Sequence, residues 1–242
     1  MTQRSTRRVL TAILFGVVVT ALGFALGSWQ TRRGDEKAAL QARLEAAETA
    51  APVVVNSKSV AAEVAAALPR AVRLRGEFLP EHTVFVDNRW LDGAAGFYVI
   101  TPLHVTEELT VLVNRGWVAR DSRDPARVPK VELPPGPATI DGLAVARVPR
   151  LLELGQKPVL QVPGIWPNLE PGEYGRVSGL AVAEFVVQQT SAMPDNLRRA
   201  WPRPSAGIEK HRGYALQWYG LAVLSAGLTI FFGVRALREQ FR

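Results

Sequence analysis

Two stretches of the 242-residue chain carry no charged side chain: Val9–Trp29 (VLTAILFGVVVTALGFALGSW) and Tyr214–Val234 (YALQWYGLAVLSAGLTIFFGV), each 21 residues long. At about 1.5 Å per residue each run is about 31 Å as a helix, the hydrocarbon thickness of a bilayer. The pattern predicts a transmembrane helix at each end. Gln217 is the only strongly polar side chain of the second run and falls in its first turn. The arginine-rich start and Ala25-Leu26-Gly27 have the look of a cleaved signal peptide, but the apolar run is longer than the usual signal core. It is therefore expected to stay as an anchor.

Between the two runs the texture changes. Asp35–Ala50 (DEKAALQARLEAAETA) is rich in strong helix formers and should extend the first helix outwards or follow it as a second one. Ser59–Leu68 reads as a short helix with a serine cap and Pro69 after it. Apolar and polar residues then alternate with the period of strands: Ala71–Phe78, Thr83–Asn88, Gly96–Leu103, Leu109–Arg115, Thr139–Ala146 and Leu180–Gln188. DNRWLDGAAG, between the second and third, reads as a hairpin loop. Three proline-rich connections, Asp121–Pro137, Pro158–Pro171 and Pro194–Pro204, are expected to be partly ordered, because Trp166 and Trp201 fall within them. The fold class is thus an α+β membrane protein. Two transmembrane helices flank a mainly antiparallel, barrel- or sandwich-like β domain with short helices. Its segments are a tail at 1–8, spans at 9–29 and 214–234, a domain at 30–213 and a tail at 235–242.

Charge orients this plan. Arg4, Arg7 and Arg8 precede the first span, and Arg235, Arg238 and Arg242 follow the second against one acid, Glu239. Outside the tails there are 23 basic and 21 acidic residues, so most of the +7 net charge sits in the two ends. The positive-inside rule puts both ends in the cytoplasm and the 184 residues of Gln30–Gly213 on the export side. The basic pI is accordingly a topology signal, and nucleic acid is not an expected partner. Arg4–Arg8 leave no room for a transit peptide ahead of the first span, which points to a bacterial inner membrane. The chain has no cysteine, which excludes disulfides, thiolate metal sites and covalent haem attachment.

Three motifs carry the candidate chemistry. In LGSWQTRRGDEK (26–37), Trp29 suits the membrane interface, and Arg33 and Lys37 follow one and two turns later. The stretch is either an aromatic belt with solvated cations or a basic rim for anionic groups such as haem propionates. VFVDNRWLDGAAGFYVITPL (84–103) and VLVNRGWVAR (111–120) each end a strand in Asn-Arg with a tryptophan close by. Arg89, Arg115 and Trp117 are either turn chemistry with arginine stacked on an aromatic ring or the edge that a partner protein grips. In KHRGYALQWYGL (210–221), His211, Tyr214, Ala215 and Trp218 fall on one helical face. The bland reading is an interfacial aromatic belt. The functional one makes His211 an axial ligand of haem iron, walled by Tyr214 and Trp218. Antiparallel helices would bring Trp29, Gln30 and Arg33 to the same mouth. His82 and His104 lack a second ligand at useful spacing, and no nucleophile–base pair or catalytic motif appears, so the protein is not expected to be an enzyme.

At these motifs the chain resembles the Surfeit-locus-one family of cytochrome c oxidase assembly factors. The residues that carry the likeness are Leu26, Gly27, Trp29, Gln30, Arg33 and Lys37; Gly96, Thr101, Pro102 and Val111–Val118; and His211, Tyr214, Ala215, Trp218 and Tyr219. Glu36 stands where the family often has an aromatic residue, and Tyr219 where it often has phenylalanine. The resemblance implies a membrane chaperone that matures the haem–copper subunit. The same resemblance implies haem a as a transient cofactor, and subunit I and the haem a synthesis machinery as partners. A haem-independent scaffold for the nascent subunit is the alternative. The functional readings of the motifs place haem contacts at His211, Tyr214, Trp218, Trp29 and Arg33, with His211 as the candidate iron ligand, and docking at Gln30, Arg89, Arg115 and Trp117.

Overall fold

The computed structural model describes residues 3–124, 127–133, 135–152, 159–201 and 207–240, and the side chains among these except at 3–6 and 239–240. Parts of all three proline-rich connections, and the side chains of Arg4, Glu239 and Arg242, lie outside the described residues. The chain divides into two compact units, Met1–Ala42 with Arg203–Arg242, and Arg43–Pro202.

The first unit is helical. Helix α1 (Gln3–Thr49) is unbroken, so Asp35–Ala50 continues the first apolar run, as the helix-forming residues allow. The last helix, α4 (Ile208–Gln240), begins before the second run. Both are long and apolar enough to cross a membrane, and their apolar windows are almost wholly unburied by protein. Phe15, Leu22, Leu224 and Phe231 are each exposed. In water that surface would be costly; in a bilayer it is the expected one.

The second unit is a mixed sheet of eight strands: β1 (Val53–Val54), β2 (Arg70–Phe78), β3 (Val84–Leu91), β4 (Ala94–Thr106), β5 (Leu109–Ala119), β6 (Ala138–Val145), β7 (Gly164–Trp166) and β8 (Val182–Gln189). The order is β1-β2-β6-β8-β5-β4-β3-β7, and β2 also pairs with β4 through Glu77–His104 and Phe78–Leu103. The five strands β2, β6, β8, β5 and β4 therefore close on themselves, so the domain is a small barrel rather than a sandwich. Val72, Leu74, Leu103, Val111, Val113, Ile140, Phe185 and Val187 fill it, and Ala61 and Val64 of helix α2 (Lys58–Ala66) join that core. The cap of α2 is Ser57, whose hydroxyl accepts from the Val60 amide at 3.3 Å, two residues ahead of the serine expected.

Strands β4 and β5 are buried along most of their length because a second core covers their other face. There β3, β7 and helix α3 (Pro171–Ser178) bring Val84, Val86, Trp166 and Tyr174 against Tyr98, Ile100 and Leu112. Two connections read as loops hold regular structure. The first is DNRWL, which continues β3 to Leu91 with one extra residue between Val86 and Arg89. Asn88 takes φ 56° there, and the hairpin turn is only Asp92-Gly93, at φ 49° and 79°. The second is the Pro158–Pro171 stretch, which contains β7 and leads into α3.

Candidate functional site

The two halves of the VLVNRGW motif prove to be internal. Arg115 is 1% exposed and donates to the Asp195 carboxylate at 3.0 Å and the Glu132 carbonyl at 2.8 Å. Its guanidinium lies 5.3 Å from the centre of the Phe78 ring. Arg199 shares Asp195 at 2.6 Å. Gly116 takes φ 149°, and a Cβ there would stand 2.9 Å from that of Leu197. That opening lets Trp117 and Arg198 exchange backbone hydrogen bonds at 2.8 and 2.9 Å, fastening the Asp195–Arg199 strap to β5. The Trp117 indole, also buried, donates to the Arg89 carbonyl at 2.8 Å. Arg89 is 5% exposed and reaches the Pro149 carbonyl at 2.7 Å. Burial pulls both guanidiniums below their usual pKa, against the pull of Asp195 in the case of Arg115. The docking edge expected at Arg89, Arg115 and Trp117 is thus a correction: these side chains hold the strap and loops to the barrel and offer no surface to grip.

The helical unit behaves differently. Helices α1 and α4 run antiparallel, in contact through Gly16 with Thr229, Gly23 with Ala222, Gly27 with Tyr219 and Gly34 with His211. A Cβ on Gly23 would fall 2.8 Å from that of Ala222, and one on Gly27 would fall 2.7 Å from the Tyr219 ring. Such close approach is the small-xxx-small packing of membrane helices, and Gly23-x-x-x-Gly27 is its sequence sign. Ser225 donates to the Gly16 carbonyl at 3.1 Å, and Ser28 and Tyr219 share a hydroxyl hydrogen bond at 3.3 Å. Sequence reasoning gave Ser28 and Tyr219 no role.

At one mouth of this pair, His211 Nδ1 stands 2.6 Å from Gln30 Oε1. An amide oxygen only accepts, so Nδ1 is the donor of this contact, and in the neutral form of the ring Nε2 is then the nitrogen without a proton. His211 is half-buried here, and a Cβ on Gly34 would stand 3.5 Å from that of His211, an ordinary contact distance. Of the other expected contacts, Trp218 is half-buried, with its carbonyl against Gly23. Trp29 and Tyr214 are each 52% exposed. Arg33 is exposed and pairs with Glu36 at 2.8 Å. Gly27, Gln30 and Gly34 form a row at spacings of three and four, and Trp29 and Arg33 lie one step around the helix from it. The structure therefore joins Gln30 to His211 and places Trp29, Arg33 and Tyr214 outside that contact. His82 sits in a short 3-10 turn and His104 on an exposed position of β4. Among the described residues no three His, Asp or Glu side chains gather as a metal site.

A small closed barrel is set in the chain between two helices long and apolar enough to cross a membrane, and a glutamine–histidine pair stands at one mouth of those helices. The SURF1 family model matches residues 17–223, most of the chain, which belongs to that family. A SURF1-like protein of Rickettsia conorii is 26% identical over 206 residues, covering 82% of this chain and 81% of that protein. Surfeit locus protein 1 of Rattus norvegicus is 29% identical over 126 residues, 46% of this chain and 40% of its own length. A SURF1-like protein of Dictyostelium discoideum is 27% identical over 119 residues, 46% and 44% respectively. The chain thus spans most of the rickettsial protein and less than half of the other two.

Proposed function

We propose that this protein is a membrane assembly factor for haem–copper cytochrome c oxidase, and that the helix mouth at His211 hands haem a to the catalytic subunit. Both tails would lie in the cytoplasm and the barrel on the export side of a bacterial inner membrane, in keeping with the positive-inside rule. The observation that carries the proposal is the 2.6 Å contact of His211 Nδ1 with Gln30. Histidines that ligate metals donate their other ring N–H to a fixed acceptor, which settles the tautomer and aims the free nitrogen. Gln30 is such an acceptor, and Nε2 is then the nitrogen left for an axial site of the cargo. A single imidazole contact suits a carrier, which must release what it binds. Arg33 lies one step around the helix from the row that holds Gln30 and is already paired with Glu36, so it supplies at most a peripheral charge.

The test is oxidase activity and haem a content in membranes lacking this gene, complemented with the wild type, His211→Ala or Gln30→Leu. Full rescue by wild type and none by His211→Ala, with the variant inserted at normal level, is expected. Full rescue by His211→Ala overturns the proposal. It would favour the second reading, a haem-independent scaffold, for which exposed Trp29 and Arg33 are the available surface.

A further inference from the structure

The glycine seam of the helix pair continues past His211. Gly27, Gln30, Gly34 and Lys37 follow one another on α1 at spacings of three and four, so they share the face turned to α4. Gly34 meets His211, and one turn further on Lys37 reaches Gly207, the residue before α4 begins. A Cβ on Gly207 would stand 3.3 Å from the Lys37 Nζ. The Gly207 carbonyl accepts from the His211 amide at 3.1 Å, so the ammonium and the imidazole are offset by one turn of α4, about 6 Å of helix rise. Lys37 is half-buried. Among the described residues no carboxylate pairs with it: Glu36 is held by Arg33 and Glu209 by Arg212. Asp35, two positions away, does not share its side of the helix. The start of α4 is the positive end of its dipole, so a cation gains nothing there from the protein. Lys37 also stands eight residues beyond Trp29, about 12 Å further along α1 and clear of the apolar run.

We infer that Lys37 is the positioning residue for the acidic edge of the molecule that His211 holds, its ammonium taking a carboxylate of that molecule. The inference rests on the reading of His211 as an axial ligand and names what else the same site grips. Haem a bears two propionates on one edge and is apolar on the other. A lone imidazole leaves such a ring free to turn about the iron–nitrogen bond. A charged contact one turn away removes that freedom and fixes which edge faces out of the helix mouth. Lysine suits the task, being a compact point charge on a flexible stem, without the two-pronged grip of arginine that would hinder release. Simple packing of the lysine stem over a glycine accounts for its path but leaves a half-buried ammonium without a partner.

The test titrates the full chain in nanodiscs with haem a and, separately, with haem a dimethyl ester, which lacks the two propionate charges. Binding is read from the Soret absorbance. Lys37→Gln should weaken binding of the free acid about fivefold and leave binding of the ester unchanged. Lys37→Arg, which keeps the charge, should bind both forms as wild type does. So should Lys210→Gln, which removes an exposed charge next to His211 but off the glycine seam. An unchanged affinity of Lys37→Gln for the acid overturns the inference. An equal fall for acid and ester also overturns it, since Lys37 would then serve packing alone. So does an equal fall in Lys210→Gln, which would mean diffuse attraction. His211→Ala separates the inference from the reading beneath it. Retention of the imidazole-ligated spectrum in that variant overturns both, whereas its loss without an effect at Lys37 overturns the inference alone. Binding of neither form by wild type overturns both.

Discussion

Conspicuous polar residues in apolar surroundings occur in both units, and their fates are opposite. In the barrel, Arg89, Arg115 and Asp195 are buried and spent on internal partners. In the helix pair, Gln30 and His211 meet each other, and the meeting occupies only one of the two ring nitrogens. A buried arginine bonded to carbonyls and a carboxylate is structural, because any other use would leave a charge desolvated. A histidine fixed at one nitrogen only is poised for a second partner. The two units thus differ in what their polar residues are joined to, and residue type alone does not reveal it.

The comparison breaks most visibly at Asp195. Asp195→Ala leaves Arg115, and Arg199 at 12% side-chain exposure, without their carboxylate. The expected cost is about 3–5 kcal/mol, the loss typical of one partner of a buried ion pair. Denaturant unfolding of the full chain in detergent, followed by tryptophan fluorescence, measures it. The imidazole nitrogens of His211 should keep their wild-type NMR signature. A loss below about 1 kcal/mol would mean that the buried pair is not what fastens the strap.

In the helix pair the largest effect is expected at Gly27→Leu, which places a side chain where the Tyr219 ring lies. Overpacking of this kind costs about 1–3 kcal/mol and should spread the helices. The chain has no cysteine, so spin labels at Asp35→Cys and Glu209→Cys report the spacing cleanly. A longer and broader distance distribution is expected, and an unchanged one would put the close contact in doubt. Gln30→Leu should act more locally. With Nδ1 no longer held, nitrogen NMR should show His211 populating both tautomers, and haem a binding should weaken about 10–100-fold.

How much of this was legible in advance follows from where each feature is decided. Uncharged length predicted both helices, and alternation found six of the eight strands, because those signals are local. The missed elements have local signals too: Pro171 opens α3 and Gly179, at φ 76°, ends it. Proline there was read as loop, although it is also a helix start. The Asp-Gly turn was present in DNRWLDGAAG, but Asn88 advertised a turn earlier and is in fact a bulge. The Gln30–His211 contact was foreseeable from antiparallel mouths. Tyr214 lies outside that contact because the His211–Trp218 face is wider than the glycine seam that actually touches. Barrel closure buries Arg115, and no spacing along β5 records it.

The smallest expected effect concerns a charge pair that sharpens the contrast by being neither buried nor poised. Arg73 and Asp141 face each other directly across β2 and β6 and bond twice, at 2.6 and 2.9 Å, with about half of each side chain in water. The hydrogen bonds from Arg73 hold the Asp141 carboxyl below its ordinary pKa; partial burial opposes them, and the charge of Arg73 adds a smaller downward pull. A carboxyl depressed in the folded state adds stability above its unfolded pKa of about 3.9 and gives it up as pH falls through the lower folded value. Wild type should therefore lose more stability than Asp141→Asn between pH 5 and the acid limit, and the two should converge once the carboxylate is protonated. Above about pH 5 their difference should be constant, and raising salt should shrink it, because solvent screens this pair. A difference that persisted undiminished below the folded pKa would assign the effect to the cross-strand hydrogen bonds alone, with charge contributing nothing.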